Sequence, residues 1–132
     1  MEKEADLFVY GTLRKQMSHP LCHLLAREAR FLGLGTFQGK LYDLGRYPGA
    51  VSSKDRTHLV TGEIYRLSDA ARVLRLLDEY EGPKFKRARV EITIGTHESI
   101  PCWIYLYTRS VAGRRIITGG DYIRFCNASS NQ

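Results

Sequence analysis

Leu7-Phe8-Val9-Tyr10-Gly11-Thr12-Leu13-Arg14 is the stretch whose reading decides the rest of the chain. Its first four residues, rich in aromatic and branched side chains, have the pattern of a buried strand, and Gly11 breaks that pattern where a chain would turn. Gly11 carries no Cβ, so a bound group could lie against the backbone, and the N–H groups of the turn could aim at a carboxylate or a developing oxyanion. The same residues also suit a buried strand ending in an ordinary turn. Their meaning depends on what surrounds them.

With 132 residues the chain is expected to form a single domain (1–132) with a core of its own. A hydrophobic content of 43% and a charged content of 26% are ordinary globular values. The charged segment Met1 to Asp6 precedes an apolar run too short for a signal peptide or a membrane span, which predicts a cytoplasmic protein with no membrane partner. Cys22, Cys102 and Cys126 lack CxxC spacing and suit buried thiols in a reducing compartment. His19, Cys22 and His23 lie close together, but no second ligand cluster follows, so no metal site is expected. The net charge of +6 raises nucleic acid as a partner. The densest basic run, Lys84 to Arg89, leads into a strand that divides its charges between two faces, and no nucleic-acid-binding signature is present. A solvated basic surface is the preferred reading, and the chain is expected to be a monomer or a homodimer.

Along the chain, Ser18 and Pro20 form a helix start, and Leu21, Leu24 and Leu25 recur at helical spacing to about Arg30. Residues 31–37, with two glycines, predict a bent strand, and residues 39–44 another short one. Gly45 to Val51 reads as a loop able to wall a pocket, and residues 52–57 as a hairpin connection into a strand at 58–67. Ser68-Asp69 caps a second helix whose apolar face is Ala70, Val73, Leu74 and Leu77, ending at Gly82-Pro83. Asp78, Glu79 and Glu81 crowd the negative end of that helix, where each acid costs about 0.3–1 kcal/mol. A local rule broken without local gain points to function, unless Lys84, Lys86 and Arg87 simply neutralise the cluster. Strands follow at 85–94, with Ala88, Val90, Ile92 and Ile94 on one face, and at 100–107, with its aromatics on one face. Residues 111–118 read as irregular, 119–122 as a turn before a short terminal segment, and 127–132 as a frayed tail.

Several stretches, taken in order, are similar to those of the gamma-glutamylcyclotransferase-like superfamily, which includes the gamma-glutamylamine cyclotransferases and the plant avirulence-induced proteins. They are Val9-Tyr10-Gly11-Thr12-Leu13-Arg14, Phe31-Leu32-Gly33, Leu41 to Gly49, Gly62-Glu63-Ile64-Tyr65, Leu77-Asp78-Glu79-Tyr80-Glu81-Gly82 and Trp103-Ile104-Tyr105. The resemblance implies an α+β fold, a small mixed sheet curled into a barrel with two main helices beside it. It also implies that the backbone of Tyr10, Gly11, Thr12 and Leu13 binds the gamma-glutamyl part of a small-molecule substrate, and that Glu81 is the catalytic acid/base. The implied reaction uses no cofactor and no metal: the substrate's own α-amine attacks its γ-carbonyl, releasing an amine and 5-oxoproline.

That chemistry makes a demand on Glu81. An ordinary glutamate, with a pKa of about 4.3, is a poor base for an ammonium group, so a raised value is expected. Burial, the neighbours Asp78 and Glu79 and the helix C-terminus would raise it, whereas a nearby Arg87 or Lys84 would lower it. Tyr10, Tyr47, Trp103 and Tyr105 are candidates for the pocket wall, with core packing the commoner fate of such residues. A non-catalytic module binding a small ligand in the same pocket is the alternative from a different functional class.

Overall fold

The computed structural model describes residues 4–14 and 20–130; the expected cap at Ser18 lies outside them. In chain order the elements are β1 (Ala5–Val9), α1 (Pro20–Glu28), β2 (Ala29–Asp43), β3 (Pro48–Ser52), β4 (Leu59–Leu67), α2 (Ala70–Glu81), β5 (Phe85–Ile94), β6 (Glu98–Tyr107), β7 (Arg115–Ile116) and α3 (Tyr122–Ser130). Antiparallel pairing joins β1 to β4, β4 to β2, β2 to β5 and β5 to β6. A parallel contact between Leu7 and Trp103 then returns β6 to β1. These pairings close a barrel of mixed strands, as the α+β reading requires, and β3 fills the gap between β2 and β6.

Strand alternation divides the core in two. Phe8, Phe37, Leu41, Val60, Ile64, Ile92, Cys102 and Ile104 come from all five barrel strands and fill the interior. Residues one position away, Leu7, Val9, Tyr65, Leu67 and Tyr105, face outward and pack against Leu24 and Leu25 of α1 and Val73, Leu74 and Leu77 of α2. A fully buried Leu or Ile contributes roughly 1.5–3 kcal/mol. Both faces of β1 are therefore committed to packing, and the turn that follows it is held from two sides.

The structure corrects the sequence reading in several places. Residues 29–43 form one strand rather than two; its glycines mark a bulge, with the pairing to β4 slipping between Phe31 and Gly33, where φ is +135°. Residues 48–52, expected to be loop, pair with β2 as β3, because Gly49 lets the backbone pass close to Tyr107. The segment 53–58 joins β3 to β4, which do not pair with each other, so it is not a hairpin. A short strand, β7, lies in the region read as irregular and pairs with Tyr42 and Asp43. The short terminal segment after the turn at 119–122 is a third helix, Tyr122–Ser130, and its Tyr122 joins the interior core. Among the described residues no helix is long and apolar enough to cross a membrane.

Candidate functional site

The chain leaves β1 at Val9 and turns at once. The Arg14 N–H donates to the Gly11 carbonyl at 3.1 Å and closes the turn, while among the described residues no backbone acceptor takes the N–H of Thr12 or Leu13. Gly11 is required here by close packing: a Cβ would lie 2.7 Å from Pro48 Cγ. The sequence argument had reserved that space for a ligand, and Pro48, the first residue of β3, takes it instead.

The far wall comes from α2. Its apolar face is the predicted one, Ala70, Val73, Leu74 and Leu77, all buried. Asp69 occupies the N-cap position, but its carboxylate bonds Arg72 Nε at 3.2 Å rather than a backbone N–H. At the other end Gly82, with φ at +74°, stops the helix and donates its N–H to the Asp78 carbonyl at 3.2 Å. Glu81, the last helical residue, is half-buried and faces the turn across a cavity of about 220 Å³.

Tyr10, Gly11, Thr12, Leu13 and Glu81 line this one cavity, together with Phe8, Val9, Tyr47, Pro48, Tyr80, Phe85 and Tyr105. Of the candidate aromatics, Tyr10, Tyr47 and Tyr105 reach it. Trp103 does not; it lies beneath the guanidinium groups of Arg87 and Arg89, 4.5 and 5.5 Å from its ring centre. Phe85 stands between Tyr47 and Tyr107, with ring centres 5.9 and 5.5 Å away, and gives one side of the cavity an aromatic surface. The Tyr10 hydroxyl donates to the Tyr105 carbonyl at 2.6 Å and accepts from the Ala50 N–H at 3.2 Å. Burial holds its pKa well above the ordinary value, so it stays protonated as a fixed strut.

Among the described lining residues Glu81 is the sole charged side chain, and burial raises its pKa from 4.5 to about 7. The expected help from Asp78 and Glu79 is absent, for a visible reason. Asp78 accepts two bonds from Arg87, at 2.9 Å from Nε and 3.2 Å from Nη2, and a third from the Tyr105 hydroxyl at 2.6 Å. Its charge is met by a cation, and the arginine that could have lowered the pKa of Glu81 is occupied in the same pair. Glu79 is exposed to solvent.

Residues 7–124 match the family described as gamma-glutamyl cyclotransferase, AIG2-like. The chain belongs to this family. It is 32% identical over 119 residues to the gamma-glutamylcyclotransferase family protein YtfP of Escherichia coli K12, covering 89% of this chain and 95% of the relative. The solution structure of E. coli YtfP superposes with a TM-score of 0.61 over 92% of this chain and 98% of that one. The crystal structure of an AIG2-like protein from Mus musculus, 24% identical, shares the fold with a TM-score of 0.70, covering 90% of this chain and 88% of that chain.

Two features of this cavity were missed from sequence. Pro48 as the packing partner of Gly11 could have been suspected from the Tyr-Pro-Gly run, whose apolar members are costly in an exposed loop. The group of buried Arg14 and Glu63 with half-buried Asp121 behind the turn gave no signal, because Glu63 and Asp121 lie 49 and 107 residues from Arg14.

Proposed function

We propose that this chain is a cyclotransferase that converts a gamma-glutamyl amide into 5-oxoproline and a free amine, with Glu81 as base and then acid. The observation that carries the reading is the pairing, across one cavity, of a half-buried carboxyl whose pKa is raised to about 7 with a turn whose Thr12 and Leu13 line the same cavity and whose N–H groups find no backbone acceptor among the described residues.

In the proposed reaction the gamma-glutamyl part lies against the turn with its α-carboxylate at those donors. The ionised Glu81 takes a proton from the substrate's α-ammonium, and the free amine attacks the γ-carbonyl carbon. A new C–N bond closes the five-membered ring, Glu81 returns the proton to the departing nitrogen as the original amide C–N bond breaks, and the second proton of the attacking nitrogen passes through Glu81 to the released amine, which leaves as an ammonium. The nucleophile is tethered to its target, so holding the chain curled is the enzyme's main task, and the aromatic walls supply the necessary shape. A pKa close to neutral suits a group that must both accept and donate a proton at physiological pH.

The test is 5-oxoproline release from a panel of gamma-glutamyl amides, with wild type beside Glu81→Gln. Release by wild type alone supports the reading and identifies the leaving amine. Absence of release from every member by folded wild type refutes it in favour of a ligand-binding module of the same fold.

A further inference from the structure

Behind the turn, and outside the cavity lining, lie ionisable groups for which the proposed chemistry has no use. Arg14 and Glu63 are 5% and 1% exposed, values rare for charged side chains. Arg14 Nε bonds Glu63 Oε2 at 3.2 Å, and Nη1 bonds Asp121 Oδ1 at 3.0 Å. The Tyr65 hydroxyl donates to the other Glu63 oxygen at 2.9 Å, and Asp121 also accepts the Arg124 N–H at 3.2 Å, which fixes the start of α3. On the third side the Cys22 thiol, in α1, donates to the Arg14 carbonyl at 3.2 Å.

We propose that Arg14 is a positioning residue: by spanning Glu63 in β4 and Asp121 at the start of α3, it holds turn 11–14 in the shape that presents the Thr12 and Leu13 N–H groups to the cavity. The inference rests on the cyclotransferase reading for its functional consequence but not for its geometry. Stability alone does not call for such a group, since buried ion pairs can often be replaced by apolar residues without loss. What an arginine supplies is direction. Its planar fork sends one N–H to a strand and another to a helix terminus, fixing the backbone from which it springs against two elements distant in sequence. Lysine would keep the charge and lose the fork.

Arg14→Lys and Glu63→Gln test this, the second leaving an amide oxygen for the Tyr65 hydroxyl. Expected is a rise in KM for the gamma-glutamyl amide of about tenfold in each variant, with kcat changed by less than about threefold, because Glu81 is carried by α2 and stays in place. The ¹⁵N order parameters of Thr12 and Leu13 should fall in Glu63→Gln while those of Leu74 and Leu77 hold. Unchanged KM in both folded variants, or a loss of kcat in step with the folded fraction, would overturn the proposal. If wild type releases no 5-oxoproline, the cyclotransferase reading fails on its own. The brace is then judged on the order parameters, and unaltered values at Thr12 and Leu13 overturn it.

Discussion

Burying a carboxyl that must ionise costs stability, and the cost has a pH signature. With the pKa of Glu81 raised from 4.5 to about 7, the folded protein binds more protons than the unfolded chain between those two values. Stability then falls as pH rises through this window: the favourable state, with the carboxyl protonated, is fully present below pH 4.5 and lost above pH 7. At about 1.36 kcal/mol per pH unit the interval of roughly 2.5 sets an upper bound of about 3.4 kcal/mol. Glu81 keeps some contact with solvent, which reduces this to about 1–2 kcal/mol. Glu81→Gln does not titrate, so relative to wild type it should gain that amount between pH 4.5 and pH 8. Urea unfolding of both proteins at pH 4.5, 6 and 8 measures it. Any constant penalty for placing an amide at the site cancels when the pH series are subtracted. A difference that does not change with pH, or one that moves in favour of wild type as pH rises, would refute the assignment of a raised pKa to Glu81.

Two further outcomes follow from contacts around the cavity. Gly11→Ala places a methyl group 2.7 Å from Pro48 Cγ, which should cost about 1–3 kcal/mol in thermal unfolding and raise KM by displacing the turn. Tyr105→Phe removes the bond to Asp78 but keeps the carbonyl that Tyr10 uses, so calorimetry should show a loss of about 1 kcal/mol with the Tyr10 strut intact.

Local features were legible in the sequence where one element's own pattern decided them. The apolar face of α2 could be read residue by residue because helical spacing and burial agree there. The same holds for the alternation in β5, which puts Ala88, Val90, Ile92 and Ile94 on the interior side. Legibility failed where a residue's preference was overruled at a distance. The glycines at 33 and 35 could be read only as a bend in a strand, yet Gly35 is needed because a Cβ would lie 2.7 Å from Ile92 and 2.8 Å from Ile64 across the barrel. Pro48 opens β3 rather than prolonging a loop, a position at a strand's start where its missing N–H is tolerated. Closure of the barrel depends on Leu7 meeting Trp103, and no local pattern announces a pairing between the first and the last long strand.

The acids at the end of α2 show how a correct anomaly can conceal more than one cause. Read as a sequence, Asp78, Glu79 and Glu81 form a single unfavourable cluster, explained either by function or by neutralisation from Lys84, Lys86 and Arg87, with Asp78 and Glu79 expected to help raise the pKa of Glu81. In space the helix turns them apart. Asp78 faces β5 and β6, where Arg87 and the Tyr105 hydroxyl satisfy it; Glu79 faces solvent; Glu81 enters the cavity. Because Asp78 engages Arg87, that cation is held away from an ionised Glu81, and burial is left to set its pKa. The helix therefore tolerates an acid at its negative end twice, once to tie that end to the barrel and once to keep a carboxyl near neutrality. The first contact stabilises the fold at the place where the second one strains it.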